Sequence, residues 1–274
     1  MSRLADTFAT LTRPALIPFL MAGDPDLETS ARLLRAAASA GDILEVGVPF
    51  SDPIADGPTI QRAGQRALAR GTTMLGVLGL VADLRRTVDR AIVLLSYFNP
   101  VVQFGMDRFC AQAREAGVDG IVIPDLPADE ADALIAPARD TGLDTVFLVA
   151  PTTSDSRIRL AAERSRGFLY CVSLTGVTGA RTQVPPDVEA LVGRVKALSA
   201  LPVCVGFGIS TPEQAQAIGR QADGVIVGSA LVGLVERSAA DAEGVLTGFL
   251  QRLRDALSAA WPVESKSSPS PTRR

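Results

Sequence analysis

Histidine is missing from this 274-residue sequence, and lysine is almost missing. Without histidine, the chain cannot form a Ser-His or Cys-His nucleophile pair or a histidine-ligated metal site, and we predict no metal site. The two lysines are Lys196, in a predicted helix, and Lys266, near the carboxyl end, so no strand supplies an amine for a Schiff base. Proton transfer must therefore come from carboxylates, tyrosine or cysteine.

Long apolar runs and basic clusters are also absent. No stretch approaches the roughly 18 apolar residues of a membrane span, and the first residues contain no apolar stretch long enough for a secretory signal. The net charge is -3, and the arginines form no cluster suited to nucleic acid or an acidic membrane. We therefore expect a cytoplasmic protein that binds neither nucleic acid nor membrane.

The few cysteines predict no disulfide framework. Cys110, Cys171 and Cys204 are an odd number and widely spaced, and two of them lie in apolar, strand-like stretches. This pattern is typical of reduced thiols buried in a core.

Apolar stretches of strand length alternate with helical stretches along the chain. Eight of them predict strands at 15–22, 43–48, 91–96, 120–124, 144–150, 168–173, 202–207 and 224–228. Such alternation indicates a parallel sheet covered on both faces, and eight units favour a closed (β/α)8 TIM barrel over an open doubly wound sheet. We expect one barrel domain over residues 1–262, a short helix at 3–11 that covers its floor, and a disordered polar tail at 263–274.

The predicted strand ILEVGV contains a carboxylate, Glu45, among apolar residues, with no cationic neighbour in sequence. Burying an unpartnered carboxylate costs several kcal/mol or raises its pKa until it is neutral. Two more carboxylates, Asp52 and Asp56, follow in the loop SDPIADGP. Glu45 and Asp56 are the leading pair for acid-base catalysis, whereas Asp24 and Asp52 precede prolines and are typical turn or cap residues. A Glu45 satisfied by backbone donors is the structural alternative.

The exits of the last three strands are rich in glycine: SLTGVTGA (173–180), GFGIS (206–210) and VGSALVG (227–233). Glycine lets backbone N–H groups approach an anion, and the start of a helix carries partial positive charge and unpaired N–H donors. Three such loops on consecutive strands are typical of the phosphate site of a TIM barrel. The sequence therefore predicts a phosphorylated small molecule bound opposite the carboxylates.

The stretches ILEVGVPFSDPIADGPTIQRA, YFNPV, DGIVIPDLP, LTGVTGAR and GFGISTPEQ resemble the tryptophan synthase alpha subunit family, in order, from about residue 15 to 230. The resemblance implies a barrel lyase that cleaves indole-3-glycerol phosphate to indole and glyceraldehyde 3-phosphate. It also implies no cofactor in this chain, and a pyridoxal-phosphate-dependent beta subunit as the partner in an alpha2beta2 heterotetramer.

The resemblance also assigns residues. Glu45 and Asp56 occupy the family's catalytic positions, and Phe19, Tyr97 and Tyr170 fall where the family lines the indole pocket. The phosphate side corresponds to Gly179, Gly206, Phe207, Gly208, Gly228 and Ser229, and Thr178 is a further substrate-binding position. One departure is the turn SAGD before strand two, where the family pattern predicts AGAD, which leaves the geometry of that turn open.

These roles fit the chemistry of breaking the bond between indole C3 and the glycerol chain. A carboxyl in an apolar strand, with a raised pKa, can protonate C3 and then accept the proton of the neighbouring hydroxyl. Asp56, in a more solvated loop, is expected to be ionised, to accept the indole N–H and to stabilise the positive charge that develops there.

Two surface features are predicted as well. The segment LTGVTGARTQVPPD suits a lid that brings Thr178 to the Asp56 loop. The loops IADGPTIQRAGQRALARG and FNPVVQFGMD are expected to form the docking face for the beta subunit, with Pro58, Val101 and Phe104 exposed on it. A stand-alone indole-releasing lyase and a catalytically silent phosphate-binding barrel remain the alternatives.

Overall fold

A computed structural model describes residues 2–172, 186–206, 208–238 and 241–260. The strands in these ranges are β1 (Ala15–Met21), β2 (Ile43–Gly47), β3 (Ala91–Leu95), β4 (Gly120–Val122), β5 (Asp144–Val146), β6 (Leu148–Val149), β7 (Leu169–Val172), β8 (Val203–Gly206) and β9 (Gly224–Val227). The helices are α1 (Arg3–Thr10), α2 (Leu27–Ala40), α3 (Pro58–Ala69), α4 (Met74–Arg85), α5 (Phe98–Phe104), α6 (Met106–Ala116), α7 (Asp132–Thr141), α8 (Asp155–Arg164), α9 (Pro186–Leu198), α10 (Pro212–Gly219), α11 (Ser229–Arg237) and α12 (Ala242–Ala260), with a 3-10 turn at Ala128–Glu130.

The strands form one parallel sheet in the order β5-β4-β3-β2-β1-β9-β8-β7-β6. Its two edge strands, β5 and β6, are successive parts of the same segment, so the sheet closes into a ring and the predicted (β/α)8 barrel is confirmed. The predicted fifth strand is divided at Phe147, whose N–H donates to the Ser165 hydroxyl (3.1 Å) while its carbonyl accepts from the Tyr170 N–H (3.1 Å). The barrel closes at this break.

The interior of the barrel is filled by alternate residues of the strands, because successive side chains of a strand point to opposite faces. This inner cluster comprises Ala15, Ile17, Ile43, Ala91, Val93, Val122, Val146, Phe168, Tyr170, Cys204 and Ile226, together with Leu4 of α1. Leu4 is fully buried, and its side chain lies within 3.1 Å of where a Cβ would stand at Gly120 and at Gly167, both at the amino ends of strands. The predicted covering helix is therefore confirmed, and it closes the floor of the barrel.

The altered turn before β2 has a packing explanation. Gly41 has an ordinary φ of -78°, but a Cβ there would stand 2.6 Å from Pro18 Cδ. The next residue, Asp42, is buried, accepts the Leu16 N–H (2.8 Å) and forms an ion pair with Arg13 (2.7 Å). The turn thus joins β1 and β2 firmly below the site.

The two segments predicted as docking loops are largely helical. Gly57 and Pro58 begin α3, with proline at the favoured first position, and α5 follows β3 directly. The prediction that Val101 is exposed is wrong, because Val101 is fully buried, whereas Val102 is 42% exposed and Ile54 is 83% exposed. Pro58 is exposed, and Phe104 is partly buried.

All three cysteines are buried and free, as predicted. The tail at 263–274 and the end of the predicted domain at 262 lie outside the described residues, so the domain boundary stays a prediction.

Candidate active site

Glu45 lies in the middle of β2 and points into the upper part of the barrel, the end at which the strands have their carboxyl termini. It is level with Phe19 of β1 and Val93 of β3 in the parallel register, and it alternates with Ile43 of the inner cluster. Only 2% of its surface is exposed, and neither carboxylate oxygen has a hydrogen-bond partner among the described residues. The alternative of a glutamate held by backbone donors therefore finds no support there.

The environment of Glu45 favours its neutral form. Burial, and secondarily the negative charge of Asp56, raise the pKa of Glu45 from 4.5 to about 8. A carboxyl group with this pKa is mostly protonated at neutral pH and can donate a proton.

Asp56 lies in the loop between β2 and α3. Its N–H donates to the Pro53 carbonyl (3.1 Å), and its own carbonyl accepts from Gln61 Nε2 (2.9 Å) on the first turn of α3. Its side chain is partly buried, and burial raises the pKa of Asp56 from 3.8 to about 6, against the opposing effect of a hydrogen bond from Tyr97. Asp56 is therefore mostly ionised at neutral pH, as predicted, although it is less solvated than its loop position indicated.

Tyr97 holds the Asp56 loop in place. This residue is 1% exposed at the start of α5, its hydroxyl accepts the Ala55 N–H (2.9 Å), and the same hydroxyl hydrogen-bonds the Asp56 carboxylate. Its ring lies 5.3 Å from that of Phe50, centroid to centroid. The sequence predicted only that Tyr97 lines a pocket, and the structure adds that its hydroxyl orients a carboxylate.

The other two predicted pocket residues, Phe19 and Tyr170, flank Glu45. The ring of Phe19 lies 2.6 Å from where a Cβ would stand at Gly47, and close to Gly228 as well. Tyr170 is buried, and burial together with the nearby charge of Glu45 raises the pKa of its hydroxyl. Two aromatic side chains and two carboxylates thus meet at the upper end of the barrel.

At the exits of β8 and β9, three of the predicted phosphate residues have distinct local geometry. Gly208 has a φ of 50°, a conformation that side chains other than glycine rarely adopt. Gly228 is the N-cap of α11, no side chain in the described part of the chain caps this helix, and Ser229 is its exposed first residue. The first N–H groups of α11 are therefore donors without an intrahelical acceptor, as an anion site requires.

Two of the glycines also have packing reasons to be glycine. A Cβ at Gly206 would stand 2.4 Å from the Tyr170 hydroxyl, and one at Gly228 would stand 3.3 Å from the Phe19 ring. These positions therefore give room to the two aromatic residues beside Glu45.

Thr178, Gly179 and Phe207 lie outside the described residues, and so does most of the predicted lid at 174–187. The roles predicted for these residues stay predictions.

Sequence reasoning missed two further residues at this end of the barrel. Asp125 Oδ1 accepts the Phe98 N–H (2.9 Å) and so caps α5, next to Tyr97. Asp24, predicted as a turn or cap residue, is buried and accepts two hydrogen bonds from Arg66, from Nε and Nη2. The motif PDLP after strand four contains Asp125 and was a usable signal, whereas the Asp24 pair joins residues 42 positions apart and has no local pattern.

Two further features of the described residues concern metal-binding clusters and helices that could span a membrane. In the described parts of the chain, no group of three or more Cys, Asp or Glu side chains is arranged to hold a metal ion. Over the same residues, no single helix is long and apolar enough to cross a membrane; α3 and α4 pass that test only as a pair, bent by 99°.

Comparisons with known proteins agree along the whole barrel. A family model described as Tryptophan synthase alpha chain matches residues 6–260. The tryptophan synthase alpha chain of Gluconacetobacter diazotrophicus is 53% identical over 249 residues, which cover 89% of this chain and 90% of the relative. That of Geobacter sulfurreducens is 49% identical over 262 residues, which cover 94% of this chain and 99% of the relative.

Solved structures agree as well. Tryptophan synthase subunit alpha from Legionella pneumophila superposes with a TM-score of 0.88 at 38% identity, over 94% of this chain and 99% of the solved chain. A chain of the aminoacrylate-bound tryptophan synthase from M. tuberculosis gives a TM-score of 0.85 at 38% identity, over 94% and 100%. With this coverage, this chain belongs to the tryptophan synthase alpha chain family, whose alpha reaction is the cleavage of indole-3-glycerol phosphate.

Proposed function

We propose that this chain performs the alpha reaction with Glu45 as general acid and base and with Asp56 as the anionic partner of the indole ring. As a member of its family the chain is a lyase of tryptophan biosynthesis, and the reaction yields indole and glyceraldehyde 3-phosphate. The observation that supports the proposal most is Glu45, a buried carboxyl with a pKa of about 8 and no hydrogen-bond partner among the described residues, beside Asp56 with a pKa of about 6. Two carboxyl groups with separated pKa values can take the two different roles.

Glu45 alone can carry out both proton transfers of the reaction, because it donates one proton and then accepts another. The protonated carboxyl of Glu45 gives its proton to indole C3, which makes C3 tetrahedral and the ring nitrogen positive. The Glu45 carboxylate then removes the proton of the hydroxyl on the adjacent carbon, and the bond from that carbon to C3 breaks. Its electron pair returns to the ring, the hydroxyl carbon becomes the aldehyde of glyceraldehyde 3-phosphate, and Glu45 is protonated again.

Asp56 stabilises the charge that appears during this step. Its carboxylate accepts the indole N–H, and the attraction strengthens as the nitrogen becomes positive, so the interaction favours the transition state over the ground state. Tyr97 supports this role, because its hydrogen bond favours the ionised form of Asp56.

The aromatic side chains hold the indole, and the glycine loops hold the phosphate. Phe19, Tyr97 and Tyr170 form the apolar end of the site, and the N–H groups at the start of α11, which have no intrahelical acceptor, mark the anionic end. We assign phosphate binding to the backbone of Gly179, Gly206, Phe207, Gly208, Gly228 and Ser229, with Thr178 closing over the substrate, and this arrangement requires no side-chain cation.

We further propose a tryptophan synthase beta subunit as the partner, in an alpha2beta2 heterotetramer. Pyridoxal phosphate then belongs to the beta subunit, and this chain needs no cofactor of its own. The proposed docking face comprises Ile54, Pro58, Val102 and Phe104, close to the Asp56 and Tyr97 end of the site where indole is released. Ile54 is 83% exposed and Val102 is 42% exposed, and the hydrogen bond from the Ala55 N–H to Tyr97 joins their two segments. Exposed apolar side chains grouped in this way support an interaction surface.

A cytoplasmic location and a single barrel domain over residues 1–262 complete the proposal. The test is indole release from indole-3-glycerol phosphate by the purified chain, measured alone and with a beta subunit, together with size-exclusion chromatography of the mixture. A complex with faster indole release is expected. Full activity of a chain that stays monomeric with every beta subunit would favour the stand-alone lyase, and no indole under either condition would favour the silent barrel.

A further inference from the structure

Arg66, on α3, binds two carboxylates that belong to different elements of the barrel. Its Nε and Nη2 atoms donate to the two oxygens of Asp24 (2.7 and 2.8 Å), and its Nη1 atom donates to Glu236 Oε1 (2.8 Å). Asp24 follows β1, and Glu236 lies in the last turn of α11. The guanidinium therefore ties three elements together through charge-assisted hydrogen bonds.

The Asp24 side of this contact is buried. The Asp24 side chain is 5% exposed, and Arg66 is its ion-pair partner. Nearby, Thr72, three residues after the end of α3, is buried, and its hydroxyl lies where a Cβ would stand at Gly23, which has a φ of 80°. The carboxyl end of α3 is thus fixed on the exit of β1 by two adjacent contacts.

The Glu236 side joins α3 to α11. Arg62, one turn before Arg66, donates to both oxygens of Glu236 (2.9 and 2.8 Å). Between these helices, Thr59 Cγ2 lies 3.7 Å from where a Cβ would stand at Gly233, so the small glycine lets them approach. The two helices are consequently held along their length.

In the proposed substrate complex, α3 begins near the indole end and α11 begins near the phosphate end. Asp56 directly precedes the start of α3 and is bonded to it through Gln61, whereas α11 starts at Ser229, at the phosphate end. The substrate is one molecule with an indole at one end and a phosphate at the other, and the bond that breaks lies between them. A misplacement of about 1 Å between such anchors can cost on the order of 100-fold in rate.

We propose that Arg66 is a positioning residue that sets the distance between the Asp56 loop and the start of α11 through its contacts with Asp24 and Glu236. It acts through these two helices and touches no substrate atom. The inference rests on the proposed function, because it takes the site to bind the indole near Asp56 and the phosphate at Ser229.

Two variants separate this role from a purely structural one. Arg66→Lys keeps the charge but cannot bond both carboxylates in the same geometry. Glu236→Gln leaves the buried Asp24–Arg66 pair intact and weakens the contacts of Arg66 and Arg62 to α11, so it stays informative if Arg66→Lys folds poorly. Arg157→Lys is the matched control, because Arg157 forms an exposed pair of the same kind with Asp129 in another part of the barrel.

The experiment compares two ligands and the reaction. Calorimetry measures the Kd of inorganic phosphate and of an indole joined by a three-carbon chain to a phosphate, and an indole-release assay measures kcat. We expect Arg66→Lys and Glu236→Gln each to raise the Kd of the joined ligand and to lower kcat, by about 10-fold or more. The Kd of phosphate should stay within about twofold of wild type, and the control variant should be unchanged.

Other results are equally decisive. If the affinities for both ligands fall equally, or if kcat falls only in proportion to the unfolded fraction measured by circular dichroism, the positioning role is wrong. Unchanged kcat and joined-ligand affinity in both variants would also overturn it, while the wild-type activity would leave the proposed function standing. A wild-type chain that neither cleaves the substrate nor binds the joined ligand would instead refute the proposed function, and this inference with it.

Discussion

Glu45 and Asp56 interact at the upper end of the barrel, where the negative charge of Asp56 adds to the larger effect of burial in raising the pKa of Glu45. The two pKa values, about 8 and about 6, leave a window in which one group is protonated and the other is ionised. This window contains neutral pH, so Glu45 can donate a proton while Asp56 is ionised.

The first prediction is a bell-shaped pH profile. The kcat/KM of indole release should fall as the pH drops through about 6, where Asp56 becomes protonated, and as it rises through about 8, where Glu45 loses its proton. Steady-state assays from pH 5 to 9 measure both limbs. A profile that is flat from pH 5 to 9 would contradict the assignment of both groups.

The second prediction concerns Tyr97. Its hydroxyl lowers the pKa of Asp56, so Tyr97→Phe should move the acidic limb of the profile to higher pH and reduce kcat/KM at pH 6. The alkaline limb, which belongs to Glu45, is the internal control and should stay in place. If the two limbs move together, Tyr97 acts on the fold and not on Asp56.

The features that could be predicted from the sequence show a pattern within a few neighbouring residues, whereas the features that were missed depend on contacts between residues far apart in the chain. Glu45 stands out because an ionisable side chain interrupts an apolar strand, and this mismatch is visible within a few residues. The bond from the Ala55 N–H to Tyr97 joins residues 42 positions apart, so no periodicity or spacing indicates it. The strands and the barrel were predictable for the same reason as Glu45, whereas the break at Phe147 depends on Ser165, which is distant in sequence.

The error at Val101 has a similar origin. Sequence indicated an apolar segment after strand three but not the point where α5 begins, and this point fixes which apolar residues face outward. Asp125, from the next strand exit, caps α5 at Phe98, which buries Val101 and exposes Val102. The glycines were found by composition, but the packing of Gly206 against Tyr170 required the structure.

The third prediction tests the phosphate end. Ser229→Asp places a carboxylate at the first residue of α11, where negative charge stabilises a helix, so the melting temperature should not fall. The carboxylate would compete with the substrate phosphate, and we expect the affinity for glyceraldehyde 3-phosphate to fall by at least about 10-fold. Ser229→Ala is the matched control and should bind nearly as wild type. Equal affinity in the wild type and Ser229→Asp would place the phosphate elsewhere.

The fourth prediction concerns stability. The pKa of Glu45 is raised from 4.5 in the unfolded chain to about 8 in the folded chain, so the folded state retains a proton that the unfolded state releases. The free energy of unfolding should therefore fall as the pH rises from about 5 to about 8, by up to about 4 kcal/mol from this group. Urea unfolding of wild type and Glu45→Gln across this range measures the difference, and the variant should lose that part of the slope. Parallel curves would show that Glu45 is not protonated in the fold.

The central claim is that Glu45 gives and takes the proton, and Glu45→Gln tests it most directly. Glutamine keeps the shape of the side chain but cannot transfer a proton, so indole release should fall by at least about 10² to 10⁴-fold, with the melting temperature and phosphate-ester binding retained in the same preparation. Glu28→Gln, at a side chain that is 89% exposed, is the control and should keep full activity. A folded Glu45→Gln chain that releases indole at a near-normal rate would remove Glu45 from the mechanism.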